Sequence, residues 1–223
     1  HIICKGFTKD ETEYALIDLN FLGVNNVLLL RGDVKTLEPV QDPENYHEHA
    51  TDLQQQVNLF NKGVALDGSH IDGIETPFSY GMACYPEKHE EAPNMESDIY
   101  YAKEKVKNGA SYLVTQMFFD NSKYFAFVER CRKEGIEVPI IPGIKPIVFK
   151  NQLTVLPKIF RSDIPEPFAA ELRKCKSDED AMEVGIEWCI GQCKELIAHG
   201  VPSLHFYTLL ASESVRRIAK EIY

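Results

Sequence analysis

Apolar runs recur along the chain, and each leads directly into polar residues with chemistry to offer. The segments are HIIC at 1–4, NVLLLRGD at 26–33, YGMACYPEKH at 80–89, YLVTQMFFD at 112–120, PIIPGIKP at 139–146 and LHFYTL at 204–209. The runs are nearly all apolar rather than alternating, which is the pattern of parallel strands covered on both faces. Helical periodicity lies between them. Thr8 to Glu11 forms a capping box, followed by an apolar stripe of Ala15, Leu16, Leu19 and Leu22 that Gly23 stops. Leu53, Val57 and Phe60 predict a second helix stopped near Gly63. Ile99, Ala102 and Val106 predict a third ending at Gly109, and Tyr124, Phe127, Val128 and Cys131 a fourth ending at Gly135. A long helix is expected from about Asp180 to His199, before Gly200. Helix, glycine, short loop and buried strand repeat at the scale of a βα unit, the wiring of a parallel sheet.

Two segments break the rhythm. Residues 34–48, with Pro39 and Pro43, read as a long loop after the second strand. Residues 63–79, containing LDGSHIDG, read as an insertion before the third. The run Lys176 to Asp180 reads as a helix N-terminus with acidic residues in its first turn. In parallel sheets, active sites collect at the carboxyl ends of strands. Arg31, Asp33, Tyr85, Glu87, His89, Gln116, Asp120, Lys145 and Tyr207 are therefore expected at one mouth, which makes the chain an enzyme. Six strands fall short of the eight of a closed barrel. The chain opens on His1, already within a strand pattern, so two earlier βα units are expected to be missing from it.

Composition narrows the class. The chain is 44% hydrophobic and 26% charged, as one globular domain is. A formal charge of −10 disfavours a broad nucleic-acid face. No apolar run reaches membrane-spanning length and no signal peptide opens the chain, so a cytoplasmic protein is expected. None of the six cysteines forms C-x-x-C, and reduced, mostly buried thiols are expected, with Cys189 and Cys193 on one helix face.

Several short motifs carry candidate chemistry. Arg31-Gly32-Asp33 offers an anion ligand, close backbone approach and a carboxylate, or is a plain surface turn. Tyr85 to Glu91 reads as a cofactor-contacting loop or a solvated acidic one; Glu87, His89 and Glu91 match no standard metal motif, and no metal is expected. Gln116 ends a buried strand with both donor and acceptor, suited to a heteroaromatic amide ring. Phe118 and Phe119 line an aromatic pocket or are core. Lys145 offers a Schiff-base amine, but a solvent-facing lysine is the expected reading. There is no G-x-G-x-x-G and no P-loop, so Rossmann-type and P-loop phosphate binding lack support.

LRGD at 30–33, A-x-D-L at 50–53, YPEKHEEA at 85–92, D-x6-KV at 98–106, TQMFFD at 115–120, IIPGIKP at 140–146 and HFYTL at 205–209 together resemble the methylenetetrahydrofolate reductase family, in the family's order. The resemblance implies a (β/α)8 TIM barrel, here represented by six βα units with the first two missing, and residues 1–223 as a single, N-terminally incomplete catalytic domain. It implies FAD, with NADH or NADPH as co-substrate, and reduction of 5,10-methylenetetrahydrofolate to 5-methyltetrahydrofolate by ping-pong exchange. His1, Arg31, Gly32, Asp33, Ala50, Tyr85, His89, Ala92, Asp98 and Lys105 fall where the family contacts FAD. Asp33 and Gln116 fall at catalytic positions, and Gln116 and Gln152 at folate contacts. The family's general-acid glutamate belongs to a first strand not found in this sequence, and Leu210-Ala211 stands where many members have Asn-Arg. No S-adenosylmethionine regulation is expected. Family members are often oligomers, so a homo-oligomer is expected, with no nucleic acid or membrane partner. Two alternatives remain: a Schiff-base lyase using Lys145, and a non-catalytic barrel that holds flavin or folate.

Overall fold

The structure, a computed structural model, describes residues 1–32, 42–209 and 212–223. It divides into two compact units, His1–Ala83 with Glu104–Leu113, and Cys84–Lys103 with Val114–Tyr223. The apolar runs become parallel strands. In the first unit these are β1 (Ile2–Ile3), β2 (Asn26–Leu30) and most of β3 (Ser79–Cys84). Ile2 pairs with Leu29 and Ile3 with Leu30; Asn26 pairs with Ser79 and Leu29 with Met82, all parallel. Leu29 and Met82 are fully buried, as the apolar pattern requires. The helix α1 (Lys9–Phe21) starts at the expected box: Glu11 N–H donates to Thr8 Oγ1 and Thr8 N–H to the Glu11 carboxylate. Its predicted stripe is corrected, because only Leu16 of the four is buried, while Leu22 is 71% exposed. The inward face instead adds Thr12, whose hydroxyl donates to Thr8 O one turn back and so is satisfied without water. Helix α2 (Ala50–Phe60) buries Leu53, Val57 and Phe60, the expected stripe. Of the 63–79 segment, 63–78 is loop with one antiparallel bridge between Val64 and His70, and Ser79 already belongs to β3.

Helix α3 (Met95–Lys107) and strand β4 (Tyr112–Thr115) cross the division, and the main sheet runs β1-β2-β3-β4-β5. In the second unit α4 (Asn121–Lys133) is N-capped by Asp120, whose carboxylate accepts Ser122 N–H. The single strand expected at 139–146 is two: β5 (Ile140–Ile141) joins the main sheet and β6 (Gly143–Ile144) pairs with β7 (His205–Phe206). Pro142 separates them, having no N–H to give a ladder. Helices α5 (Gln152–Phe160) and α6 (Glu166–Lys174) lie in a stretch where none of the expected helices falls. Pro157 sits inside α5, which Arg161 closes at a left-handed φ of 58°. Helix α7 (Asp178–Ala198) has the expected acidic first turn, starts two residues before the expected Asp180 and opens on a Ser177–Asp180 capping box, and α8 (Ser212–Ile222) follows β7.

Phe168 stacks on Trp188 at 4.5 Å and 6°, and Trp188 Nε1–H donates to Phe119 O at 3.1 Å. Such a pair contributes about 0.5–1.5 kcal/mol beyond its area. Met117, Phe119, Ile147, Leu156 and Leu172 complete this core. Phe118 stacks on Tyr124 and is fully buried, so both phenylalanines of TQMFFD are core. The cysteines are free and buried, with Cys189 Sγ 4.0 Å from Cys193 Sγ on α7. The fold is thus α/β, with parallel strands and helices between them, as a βα barrel requires.

Candidate active site

In the first unit, the β1–β2 ladder continues past both strands: Cys4 N–H donates to Leu30 O and Lys5 N–H to Arg31 O, each at 3.0 Å. This holds Arg31 and Gly32 at the strand ends. Gly32 has φ +84°, and a Cβ there would lie 3.3 Å from Lys5 Cβ, so backbone conformation and space both favour glycine. Arg31 Nε–H donates to Glu48 O at 3.2 Å, joining the strand end to the segment before α2. His49 N–H donates to the Asp52 carboxylate at 2.8 Å, and Ala50 is the first residue of α2. Lys105 Nζ donates to Ala83 O at 2.8 Å near the end of β3. His1 is exposed before β1. Asp33 lies outside the described residues.

In the second unit, Gln116 N–H donates to Cys84 O at 2.8 Å, so the β3 and β4 ends are tied where the candidate residues Tyr85 and Gln116 begin. The Tyr85 ring meets the His89 ring edge-on at 4.5 Å. His89 N–H donates to Asp98 Oδ2 at 2.7 Å; Asp98 is buried in the first turn of α3, where a negative charge is favourable. Lys88 takes a left-handed φ of 78°, and its Nζ donates to Ala92 O at 2.6 Å. The loop from Tyr85 to Ala92 is therefore closed on its own backbone, not strung out as a solvated acidic strip. Among the described residues, no three His, Cys, Asp or Glu side chains gather as metal ligands.

Glu87 is the electrostatically unusual member. Its Oε1 accepts Asp163 N–H at 3.3 Å, while Oε2 is buried with no partner. Burial lifts its carboxyl from 4.5 to about 7, against the lowering by Asp163 N–H and Lys123; the charges of Asp163 and Asp120 raise it further. Asp163 is a neighbour the sequence did not reveal. It follows α5 in a proline-bounded loop with no periodic signal.

Gln116 Oε1 accepts Met117 N–H at 2.9 Å, which orients the amide and leaves its NH2 to donate outward. Thr115, just before it, is a hub. Its Oγ1 accepts Gly143 N–H at 2.9 Å, and its carbonyl accepts Tyr207 O–H at 2.8 Å. Tyr207 N–H in turn donates to Ile144 O at 2.8 Å. A Cβ on Gly143 would stand 2.2 Å from Thr115 O, so this approach needs glycine. Burial pushes the Tyr207 phenol up and His205 down. Gln152 Oε1 accepts Val148 N–H at 2.7 Å and Phe149 N–H at 3.1 Å, so its acceptor also serves the backbone. Asp120 is occupied as the α4 cap. Lys145 corrects an expectation. It is 2% exposed rather than solvent-facing, and burial lowers its amine. It follows Ile144 at the end of a strand whose flanking residues are buried, and a side chain's type does not reveal that.

Comparison with known proteins bears on this arrangement. The family profile described as "Methylenetetrahydrofolate reductase" matches residues 1–223. The Caenorhabditis elegans protein "Probable methylenetetrahydrofolate reductase (NADPH)" is 33% identical over 225 residues, covering 100% of this chain and 32% of that protein. "Methylenetetrahydrofolate reductase (NADH) 1" of Arabidopsis thaliana is 30% identical, covering 96% and 36%. "5,10-methylenetetrahydrofolate reductase" of Escherichia coli is 31% identical over 215 residues, covering 96% and 66%. The chain thus spans about a third of the eukaryotic relatives it matches and 66% of the bacterial one. A solved Clostridium thermocellum protein aligns at a TM-score of 0.48 and 15% identity, over 98% of this chain and 91% of that one, a likeness too slight to assign a ligand. With the profile matched from end to end, the chain belongs to the methylenetetrahydrofolate reductase family.

Proposed function

We propose that this chain carries catalytic machinery that reduces 5,10-methylenetetrahydrofolate to 5-methyltetrahydrofolate, using FAD and NADH or NADPH in ping-pong exchange. One observation carries the reading: seven family strings stand in order across a chain that the family profile matches throughout. Names of relatives include both NADPH and NADH forms, so neither donor is preferred here. The reading keeps residues 1–223 as part of one (β/α)8 catalytic domain of a cytoplasmic homo-oligomer serving one-carbon metabolism and methionine biosynthesis. Among the described residues, no helix is long and apolar enough to cross a membrane.

The residues present fit a flavin dinucleotide. In the first unit Arg31 supplies a cation next to the left-handed Gly32, and in the second unit Tyr85 and His89 supply aromatic rings, each a kind of group that a flavin dinucleotide uses. By resemblance to the family, the flavin contacts are His1, Arg31, Gly32, Asp33, Ala50, Tyr85, His89, Ala92, Asp98 and Lys105. Bound FAD supplies the two-electron store that lets two substrates react in turn. The protein's part is orientation and charge. The Gln116 amide, held by Met117 N–H, donates to the substrate ring, and Gln152 is the second folate contact. A carboxylate at Asp33 opposes build-up of negative charge on the ring beside it and favours a folate cation. Glu87, with a buried, unpaired oxygen, can hold a proton near neutral pH.

The burial of Lys145 favours one further feature of the Schiff-base alternative, a desolvated amine. A borohydride trap separates the two. The reductase reading expects NADH–menadione activity and no trapped adduct; a colourless protein that gains a covalent adduct at Lys145 supports the lyase.

A further inference from the structure

Lys145 is 2% exposed, yet its amine donates to no acceptor and meets no carboxylate among the described residues, and burial is the sole influence on its titration. The side chain is almost wholly buried, but Nζ is not one of the fully enclosed polar atoms that lack a partner, so the ammonium is completed from outside the polypeptide, by water or by a ligand. Its position argues for the second. Tyr207 bridges Thr115 O and Ile144 O, and the next residue after each is Gln116 and Lys145. Lys145 is two residues on from Gly143, so it points to the same side of the strand, the side on which Gly143 meets Thr115 and the Tyr207 ring. The following Pro146 disfavours helical backbone at Lys145, which favours that alternation past the strand end. The Gln116 oxygen already accepts Met117 N–H. Gln116 still offers two N–H donors beside one remaining lone pair on its oxygen, and Lys145 offers donors alone.

We propose that Lys145 is a substrate-binding residue, paired with the Gln116 amide to grip an acceptor oxygen of a heteroaromatic ring. A pterin carbonyl and a nicotinamide carboxamide both present that chemistry. The inference rests on the reductase reading for the identity of the ring, but not for the need of an acceptor. A charge-assisted hydrogen bond supplies the ammonium with its missing partner and gives Gln116 a second donor to the same edge.

The test uses the full-length protein reconstituted with FAD, comparing wild type with Lys145→Met and Lys145→Gln. Flavin content is read by absorbance, and affinities for 5-methyltetrahydrofolate and NADH by flavin fluorescence. Lys145→Met is expected to keep its flavin and lose about tenfold or more in affinity for 5-methyltetrahydrofolate, with Lys145→Gln recovering part of it. A loss confined to NADH supports the proposal with the carboxamide as acceptor. Unchanged affinity for both ligands at full flavin content overturns it. Trace acetylation of the wild type needs no variant and no flavin: 5-methyltetrahydrofolate or NADH should protect Lys145 several-fold, and equal labelling with and without either ligand overturns the proposal. A wild type that takes up no FAD refutes the reductase reading instead, and the acetylation result still decides the role of Lys145.

Discussion

Replacing Glu87 by Gln isolates the least ordinary charge in the second unit. The native carboxyl is lifted from 4.5 to about 7, chiefly by burial, and its Oε2 is buried without a partner. Between those two values the native chain holds a proton that the unfolded chain has released. The native state therefore binds more protons, and stability falls as pH rises through this window, fully present below 4.5 and lost above about 7. The difference corresponds to about 3 kcal/mol in full, and to about 1–2 kcal/mol after allowing for solvent screening of a partly exposed side chain. Relative to the Glu87→Gln variant, the wild type should thus lose about 1–2 kcal/mol between about pH 5 and about pH 8. Urea unfolding of both proteins at the two pH values measures this, and any constant cost of the substitution cancels. Parallel stabilities at both pH values would refute the reasoning, and a wild type that gains on the variant as pH rises would reverse its sign.

Other outcomes follow from packing. Trp188→Ala removes the stack on Phe168 and the bond to Phe119 O from a half-buried side chain, and should cost about 1–3 kcal/mol by denaturant unfolding. Gly143→Ala would place a Cβ 2.2 Å from Thr115 O. The strand must shift, with a loss of about 1–3 kcal/mol or more, visible as a lower midpoint in thermal unfolding. The six cysteines are buried, so a thiol reagent should label the native protein slowly and reach all six only in denaturant. Rapid labelling of several in the native state would contradict their burial. Gln116→Ala should raise the KM for folate in steady-state assay and leave flavin content unchanged; loss of flavin instead would place Gln116 in a different role.

Much of this architecture is legible because burial on both faces writes strands as apolar runs, and because caps are local. Thr8 and Glu11, or Ser177 and Asp180, stand three positions apart, and the structure joins each pair. Helices α5 and α6 escape notice because prolines crowd the stretch: Pro157 signals interruption inside α5, where Leu156 packs into the core, while Pro165 and Pro167 in fact stand at the start of α6, a position that suits proline. The α1 stripe misleads because periodicity names an apolar face without naming what it meets. At the candidate site, strand ends nominate side chains without revealing their states. Glu87 owes its raised carboxyl in part to burial beside Asp163, 76 positions away. Lys145 reads as a surface residue until its strand is placed. The orientation of the Gln116 amide follows from a backbone N–H that no motif records.

The central claim is that this chain handles a flavin that two substrates visit in turn. Anaerobic absorbance of the natural full-length protein, reconstituted with FAD, tests it most directly. NADH or NADPH should bleach the bound flavin, and 5,10-methylenetetrahydrofolate added afterwards should restore its colour with formation of 5-methyltetrahydrofolate. A protein that takes up no FAD, or whose bleached flavin is indifferent to the folate, contradicts the account.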